Sequence, residues 1–222
     1  MLPILYSLQH CPYAMRARFG LVMAQQQVML RAVVTKNKPE EMLAASPKGT
    51  IPVLILPDSR VIDESLDIMI WALQQNDPED LLHKDNTSDL PAMIELIERN
   101  DQEFKPQLEI YKKAKRFHQK NEIEERQKCE VFIAELEQRL TIKGLSTDGG
   151  YFMGQKPGLI DYALLPFVRQ FSRVNRSWFV QAPYPNLRTW LDGHLQSRDY
   201  AKAMAKYPLW LDEHEECLFG GI

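Results

Sequence analysis

The sequence predicts a small α/β domain, with the element order β-α-β-α-β-β-α, followed by an all-α domain. Over residues 1–76, apolar β-branched runs alternate with runs of helical spacing, whereas from about residue 90 to 222 only the helical spacing recurs. Between them, residues 77–89 are rich in Asn, Asp, Pro and Ser, the composition of a linker.

Taken in order, Ile4-Leu5-Tyr6-Ser7-Leu8 reads as a first strand and Tyr13 to about Gln26 as a helix. Val28 to Val34 is a β-branched strand, and Pro39 to Ala45 is a short helix with proline early and acids in its first turn. Ser46-Pro47-Lys48-Gly49 stops that helix. Ile51 to Leu56 and Val61 to Asp63 flank Pro57-Asp58-Ser59-Arg60, which supplies the turn chemistry of a hairpin. Ser65 to Gln75 then has helical spacing, with Leu66, Ile70 and Leu73 near one face. In the second half, Leu90 to about Lys120 is helical, and Pro106 is expected to kink or interrupt it. Glu122 to Leu140 carries an apolar stripe of Val131, Phe132, Leu136 and Leu140. Thr147-Asp148-Gly149-Gly150 is a turn; Gly158 to about Arg173, Pro185 to Leu195 and Asp199 to Lys206 are further helices. With Gly158 as N-cap, Asp161 is the third helical residue and can reach back to the cap N–H, which is a folding role.

Composition narrows the function. The 222 residues are ample for two domains, and 45% hydrophobic with 26% charged residues is an ordinary globular balance. A formal net charge of -3 gives no basic footprint, so no nucleic-acid partner is expected. No apolar run approaches the roughly 18 residues of a membrane span. The N-terminus also lacks a basic segment followed by an apolar stretch and a cleavage site. No membrane partner and a cytoplasmic location are therefore expected. Three cysteines, Cys11, Cys129 and Cys217, are too few and too scattered for a disulfide scaffold. The five histidines are dispersed, no Cys/His group has zinc-ligand spacing, and no metal is expected.

The chemistry concentrates at Cys11-Pro12-Tyr13-Ala14, between the first strand and the first helix. At a helix N-terminus, unpaired N–H groups and the positive end of the helix dipole favour an anion, here the reactive thiolate form of cysteine. Pro12 suits the first helical turn, where its missing N–H is not needed. Arg16 either tunes the thiolate or belongs to a solvated helix face. A buried, inert cysteine is the competing local reading. Position 14 is Ala, so an intramolecular Cys-X-X-Cys disulfide is impossible and only a monothiol mechanism is open. Ser65 reads as the N-cap of its helix.

Cys11-Pro12-Tyr13-Ala14 after a first strand, Thr50-Ile51-Pro52-Val53, and Asp63-Glu64-Ser65 opening a helix together resemble the thioredoxin-like domain of the glutathione transferase superfamily. The cysteine-containing branch, meaning omega-class-like transferases and the two-domain bacterial glutaredoxin, fits best. Gly158-Leu159-Ile160-Asp161-Tyr162-Ala163 resembles the capping motif of the family's all-helical domain, so the resemblance covers nearly the whole chain.

The resemblance implies a cis Ile51–Pro52 bond and glutathione as co-substrate. It implies that the Ile51 backbone binds the cysteinyl part of glutathione, that Ser65 meets the γ-glutamyl carboxylate and that Glu64 pairs with the ammonium group. Lys48 would meet the glycyl carboxylate, with Lys36 and Lys38 as alternatives; Tyr13 lies near the thiol and Asp67 near the acidic patch. The implied function is a glutathione-dependent thioltransferase or reductase that forms a mixed disulfide at Cys11 with a small disulfide or electrophile as acceptor. The alternatives are a conventional conjugating transferase, for which Tyr6 or Ser7 would be considered, and a non-catalytic interaction protein on the same fold. The resemblance implies a homodimer, as in many relatives, with a monomer, as in the two-domain glutaredoxin, as the alternative. Of Tyr6 and Ser7, strand alternation expects one in the core and one outward.

Overall fold

The computed structural model describes residues 1–143 and 150–221. In chain order the elements begin with β1 (Ile4–Ser7), α1 (Pro12–Met23), β2 (Val28–Ala32), α2 (Glu40–Ala45), β3 (Val53–Ile55), β4 (Val61–Ile62) and α3 (Ser65–Gln75). They continue with α4 (Asp89–Arg99), a π-helical turn (Asn100–Phe104), α5 (Lys105–Arg116), α6 (Glu122–Lys143), α7 (Leu159–Val174), α8 (Arg176–Gln181) and α9 (Pro185–Leu195). The chain closes with α10 (Arg198–Ala203), α11 (Trp210–Glu213) and β5 (Cys217–Phe219). The β-α-β-α-β-β-α order is that expected. The turn expected at Thr147-Asp148-Gly149-Gly150 lies, apart from Gly150, outside the described residues.

The chain divides into two compact units, residues 1–79 with 196–222, and residues 80–195. In the first unit one mixed sheet has the strand order β4-β3-β1-β2-β5. β1 and β2 run parallel, as a helical crossover requires, and β3 and β4 are antiparallel to their neighbours. Helices α1 and α3 pack closely. A Cβ at Gly20 would sit 2.6 Å from the Met69 Cα, so only glycine permits this approach. Every residue of α1 except Tyr13 is buried.

The end of the chain differs from expectation. Residues 90–222 read as one all-helical domain, yet β5 pairs antiparallel with β2 and adds a fifth strand to the sheet. Trp210 enters the core cluster of Tyr6, Val33, Met42 and Val53. Its indole donates to Glu41 at 2.7 Å, and the Arg31 guanidinium stacks 3.9 Å over its ring. A Cβ at Gly220 would lie 1.9 Å from the Gln26 carbonyl oxygen, so the returning strand needs glycine there. Burial of an otherwise open sheet edge and of the Trp210 ring is the physical reason for the return.

The second unit is helical among its described residues. Pro106 does interrupt the long helix: α5 begins one residue before it, and the wide turn Asn100–Phe104 precedes it. Proline lacks an N–H and clashes with the carbonyl four residues back, and a π turn absorbs the mismatch. Helix α7 is almost wholly buried, and Phe171 meets Phe104, Tyr111 and Phe179, each with ring centroids about 6 Å apart. Among the described residues, no helix is long and apolar enough to cross a membrane.

Candidate functional site

Cys11 is the N-cap of α1, with extended backbone (φ -72°, ψ 125°) and Pro12 as the first helical residue. Its side chain makes no capping hydrogen bond, and the first turn carries no acid. Within α1 itself, neither the cap side chain nor a first-turn acid compensates the positive end of the helix. The thiol is half-buried and lies 3.9 Å from the Ile51 carbonyl oxygen. The Ile51–Pro52 peptide bond is cis, as expected. The topology thus brings the strand-to-helix turn after β1 against the segment that leads into β3.

The third contribution comes from the start of α3. Ser65 was expected as N-cap; instead the cap is Glu64, whose extended backbone (φ -108°, ψ 131°) keeps it outside the helix. Ser65 is the first helical residue and is 4% exposed. Its hydroxyl accepts from Arg16 at 3.4 Å rather than capping the helix. The Glu64 carbonyl receives the Ile68 N–H at 3.0 Å, which fixes this register. Glu64 is exposed, and its carboxylate is hydrogen-bonded to Lys48. That contact, against a small cost of burial, raises the Lys48 ammonium above its ordinary value, and Asp63 and Asp67 add to it. Lys48 also lies 3.8 Å from Asp63, which accepts from the Ser46 hydroxyl at 2.8 Å. Gly49 has a left-handed φ of 65°, consistent with the turn role read from the sequence.

Tyr13 is half-buried two residues after Cys11, with the Arg16 guanidinium 5.6 Å from its ring centre. Arg16 is fully buried, which excludes the solvated helix face. Neither Tyr6 nor Ser7 points to solvent, contrary to the alternation expected for a strand. The Tyr6 hydroxyl accepts from Arg31 at 2.7 Å, and burial, partly offset by Arg31, raises its pKa. The Ser7 hydroxyl accepts from Arg18 at 2.6 Å. Both faces of β1 are covered, so both side chains are buried. Lys36 is exposed and Lys38 half-buried. Among the described residues no group of three or more His, Cys, Asp or Glu is arranged to hold a metal ion.

Comparison with known proteins agrees with this geometry. The glutathione S-transferase N-terminal domain family matches residues 5–80, and its C-terminal domain family matches residues 122–193. The chain belongs to the glutathione transferase superfamily. A relative of this superfamily member is the pyrimidodiazepine synthase of Drosophila melanogaster, 26% identical over 201 residues, which span 85% of this chain and 74% of that protein. Among solved structures, glutathione transferase Omega 3C from Trametes versicolor superposes with a TM-score of 0.76 at 19% identity, over 95% of this chain and 92% of the other. Ure2p in complex with S-hexylglutathione gives a TM-score of 0.78 at 16% identity, over 92% and 98% of the two chains.

In this superfamily member, Cys11, Tyr13, Ile51, Pro52, Lys48, Glu64 and Ser65 all lie in the first compact unit. The contacts link Cys11 to Ile51, Lys48 to Glu64, and Tyr13 and Ser65 to Arg16. What sequence reasoning missed is the burial of Arg16 and Arg18, which together tie α1 to α3, to the turn before Cys11 and to residues 203–204.

Proposed function

We propose that this protein is a glutathione-dependent thioltransferase or reductase that works through a single thiol, Cys11. The observation that carries the reading is the half-buried Cys11 thiol at the uncapped start of α1, beside the cis-proline segment. In the first step the Cys11 thiolate attacks the glutathionyl sulfur of a mixed disulfide. A Cys11–glutathione disulfide forms, the old S–S bond breaks, and the acceptor leaves as its thiolate and takes up a proton. Glutathione, as thiolate, then attacks the glutathionyl sulfur held on Cys11. Oxidised glutathione leaves and the Cys11 thiolate is restored. No second protein cysteine takes part, in keeping with Ala14.

The glutathionyl group would lie along Ile51 and Pro52, whose backbone offers strand-like hydrogen bonding. Its γ-glutamyl carboxylate would meet the start of α3 at Ser65, and its ammonium group Glu64. Lys48 would exchange its Glu64 contact for the glycyl carboxylate. Engagement of the Tyr6 and Ser7 hydroxyls by Arg31 and Arg18 supports the cysteine mechanism over conjugation by a hydroxyl-activated glutathione.

The test is glutathione-dependent reduction of a small mixed disulfide by the wild type and by Cys11→Ser. Turnover that disappears in Cys11→Ser, with retention on immobilised glutathione preserved, is the expected result. Equal turnover in both would overturn the assignment and favour conjugation. Absence of both turnover and retention in the wild type would favour a non-catalytic protein.

A further inference from the structure

Among the described residues, Arg18 is a buried cation whose hydrogen-bond partners are all neutral. It is 1% exposed. Its Nε donates to the Ala203 carbonyl at 2.7 Å, and its Nη1 donates to the Ser7 hydroxyl at 2.6 Å and the Leu8 carbonyl at 3.3 Å. Its Nη2 donates to the Gln9 carbonyl at 2.7 Å and lies 3.7 Å from the Met204 sulfur. A desolvated charge ordinarily has a carboxylate beside it, because neutral dipoles alone offset only part of the cost of leaving water. None of these contacts is a carboxylate. Burial lowers the guanidinium to about 10, which still leaves it charged near neutral pH. The acidic groups that attract it are Cys11 first, then Tyr207 and Tyr200. Phenols stay protonated near neutral pH, and burial pushes Tyr207 further up. The thiol is the remaining group of the three, and it stands at the N-terminus of α1, which its own first turn leaves without an acid and where an anion is favoured.

The hydrogen bonds make the same connection. The Leu8 carbonyl that accepts from Arg18 also accepts the Cys11 N–H, at 3.3 Å. Guanidinium and Cys11 backbone therefore share one acceptor, and the next carbonyl, of Gln9, is held by the other arm of the fork. On the far side Arg18 takes the carbonyl of the last residue of α10, an orphan at the negative end of a helix. The Gln9 side chain closes the ring by donating to the Met204 carbonyl at 2.9 Å. The turn carrying Cys11 is clamped to the segment that returns from the end of the chain.

We propose that Arg18 is the positioning residue of the thiol site: it fixes the Leu8–Cys11 turn against α10, and the anion that balances its buried charge is the Cys11 thiolate. The proposal rests on the reading of Cys11 as nucleophile. Its test measures the thiol without glutathione or acceptor. The rate of Cys11 alkylation by iodoacetamide, followed by mass spectrometry of the Cys11 peptide, is compared among wild type, Arg18→Gln, Arg18→Lys and Gln9→Ala. Arg18→Gln is expected to slow alkylation roughly tenfold, and Arg18→Lys, which keeps the charge, to recover most of that loss. Gln9→Ala, which loosens only the tie to Met204, is expected to slow it about twofold to threefold. Wild-type rates in a folded Arg18→Gln chain would overturn the proposal, as would equal slowing by Gln and Lys, which would indicate packing alone. If Arg18→Gln does not fold, a wild-type rate in Gln9→Ala overturns it. Arg18-dependent alkylation in a wild-type chain that shows no disulfide turnover would overturn the proposed function and leave the positioning role standing.

Discussion

Two helix N-termini in this molecule are built in opposite ways. At the start of α7 the buried Asp161 carboxylate accepts the Gly158 N–H at 2.8 Å, the Phe152 N–H at 3.2 Å and the Trp190 indole N–H at 2.9 Å. At the start of α1 the cap is Cys11, its side chain makes no capping bond, and the first turn carries no acid. A helix start that carries its own acid has its positive end already compensated, whereas an open one attracts whatever anion arrives or forms there. The difference separates a folding device from a chemical one with the same backbone physics.

The contrast can be broken most forcefully at Asp161. Asp161→Asn keeps the shape but sets an amide NH2 against one or more converging N–H groups. The expected cost is about 2–4 kcal/mol, since each buried donor left without an acceptor carries its desolvation penalty. Thermal unfolding followed by circular dichroism should show a fall of several degrees, while Cys11 alkylation in the folded chain stays at its wild-type rate. An unchanged melting temperature would mean that the α7 cap is not what holds that helix.

Cys11→Ser tests the other side. Serine is a good N-cap and cysteine is not, so the variant should gain about 0.5–1 kcal/mol in stability as it loses thiol chemistry. A rise in melting temperature measured beside the activity assay is the expected outcome. A fall would show that the thiol contributes more to packing against Ile51 than a hydroxyl does to capping.

The legible parts of the molecule are those with local causes. Gly158 and Asp161 stand three residues apart, so their cap could be read directly from spacing. The strand, the Cys11-Pro12 turn and the helix after it are likewise contiguous, and Pro106 announced its interruption of the long helix. The glutathione-like segments were legible only through resemblance to a family, because Ile-Pro and Glu-Ser pairs are individually common. Burial of Arg16 and Arg18 was not legible. Alone they look like charged helix positions, and what buries α1 comes from residues 65–75 and 198–204, far along the chain. β5 was missed for the same reason: Cys217–Phe219 is too short for periodicity, and its partner β2 lies at the other end of the sequence. Ser65 moved from cap to first helical residue because Arg16, invisible to local reading, takes its hydroxyl.

The smallest effect should come from a group just outside the α7 cap. His83 Nδ1 lies 2.8 Å from an Asp89 carboxylate oxygen and its Nε2 lies 3.2 Å from the Pro157 carbonyl. Both partners only accept, so both ring nitrogens donate and the imidazolium form fits. Burial opposes that form, but Asp89 and the Pro157 carbonyl outweigh it and raise the pKa above the ordinary histidine value. A raised folded-state value means that the contribution is fully present below the unfolded value of about 6.5 and is lost as pH rises through the folded one. Asp161 acts in a lower window. Burial raises it to about 6, so its cost to the folded state grows as pH climbs from about 4 to about 6. His83 is therefore read above that range, by comparing wild type with His83→Gln at mildly acidic and at alkaline pH. The stability gap should be no more than about 1 kcal/mol at the lower pH, and it should shrink at the higher. A gap that does not change with pH would show that the imidazole acts through packing, and that Asp161 holds the α7 terminus without help from a charged neighbour.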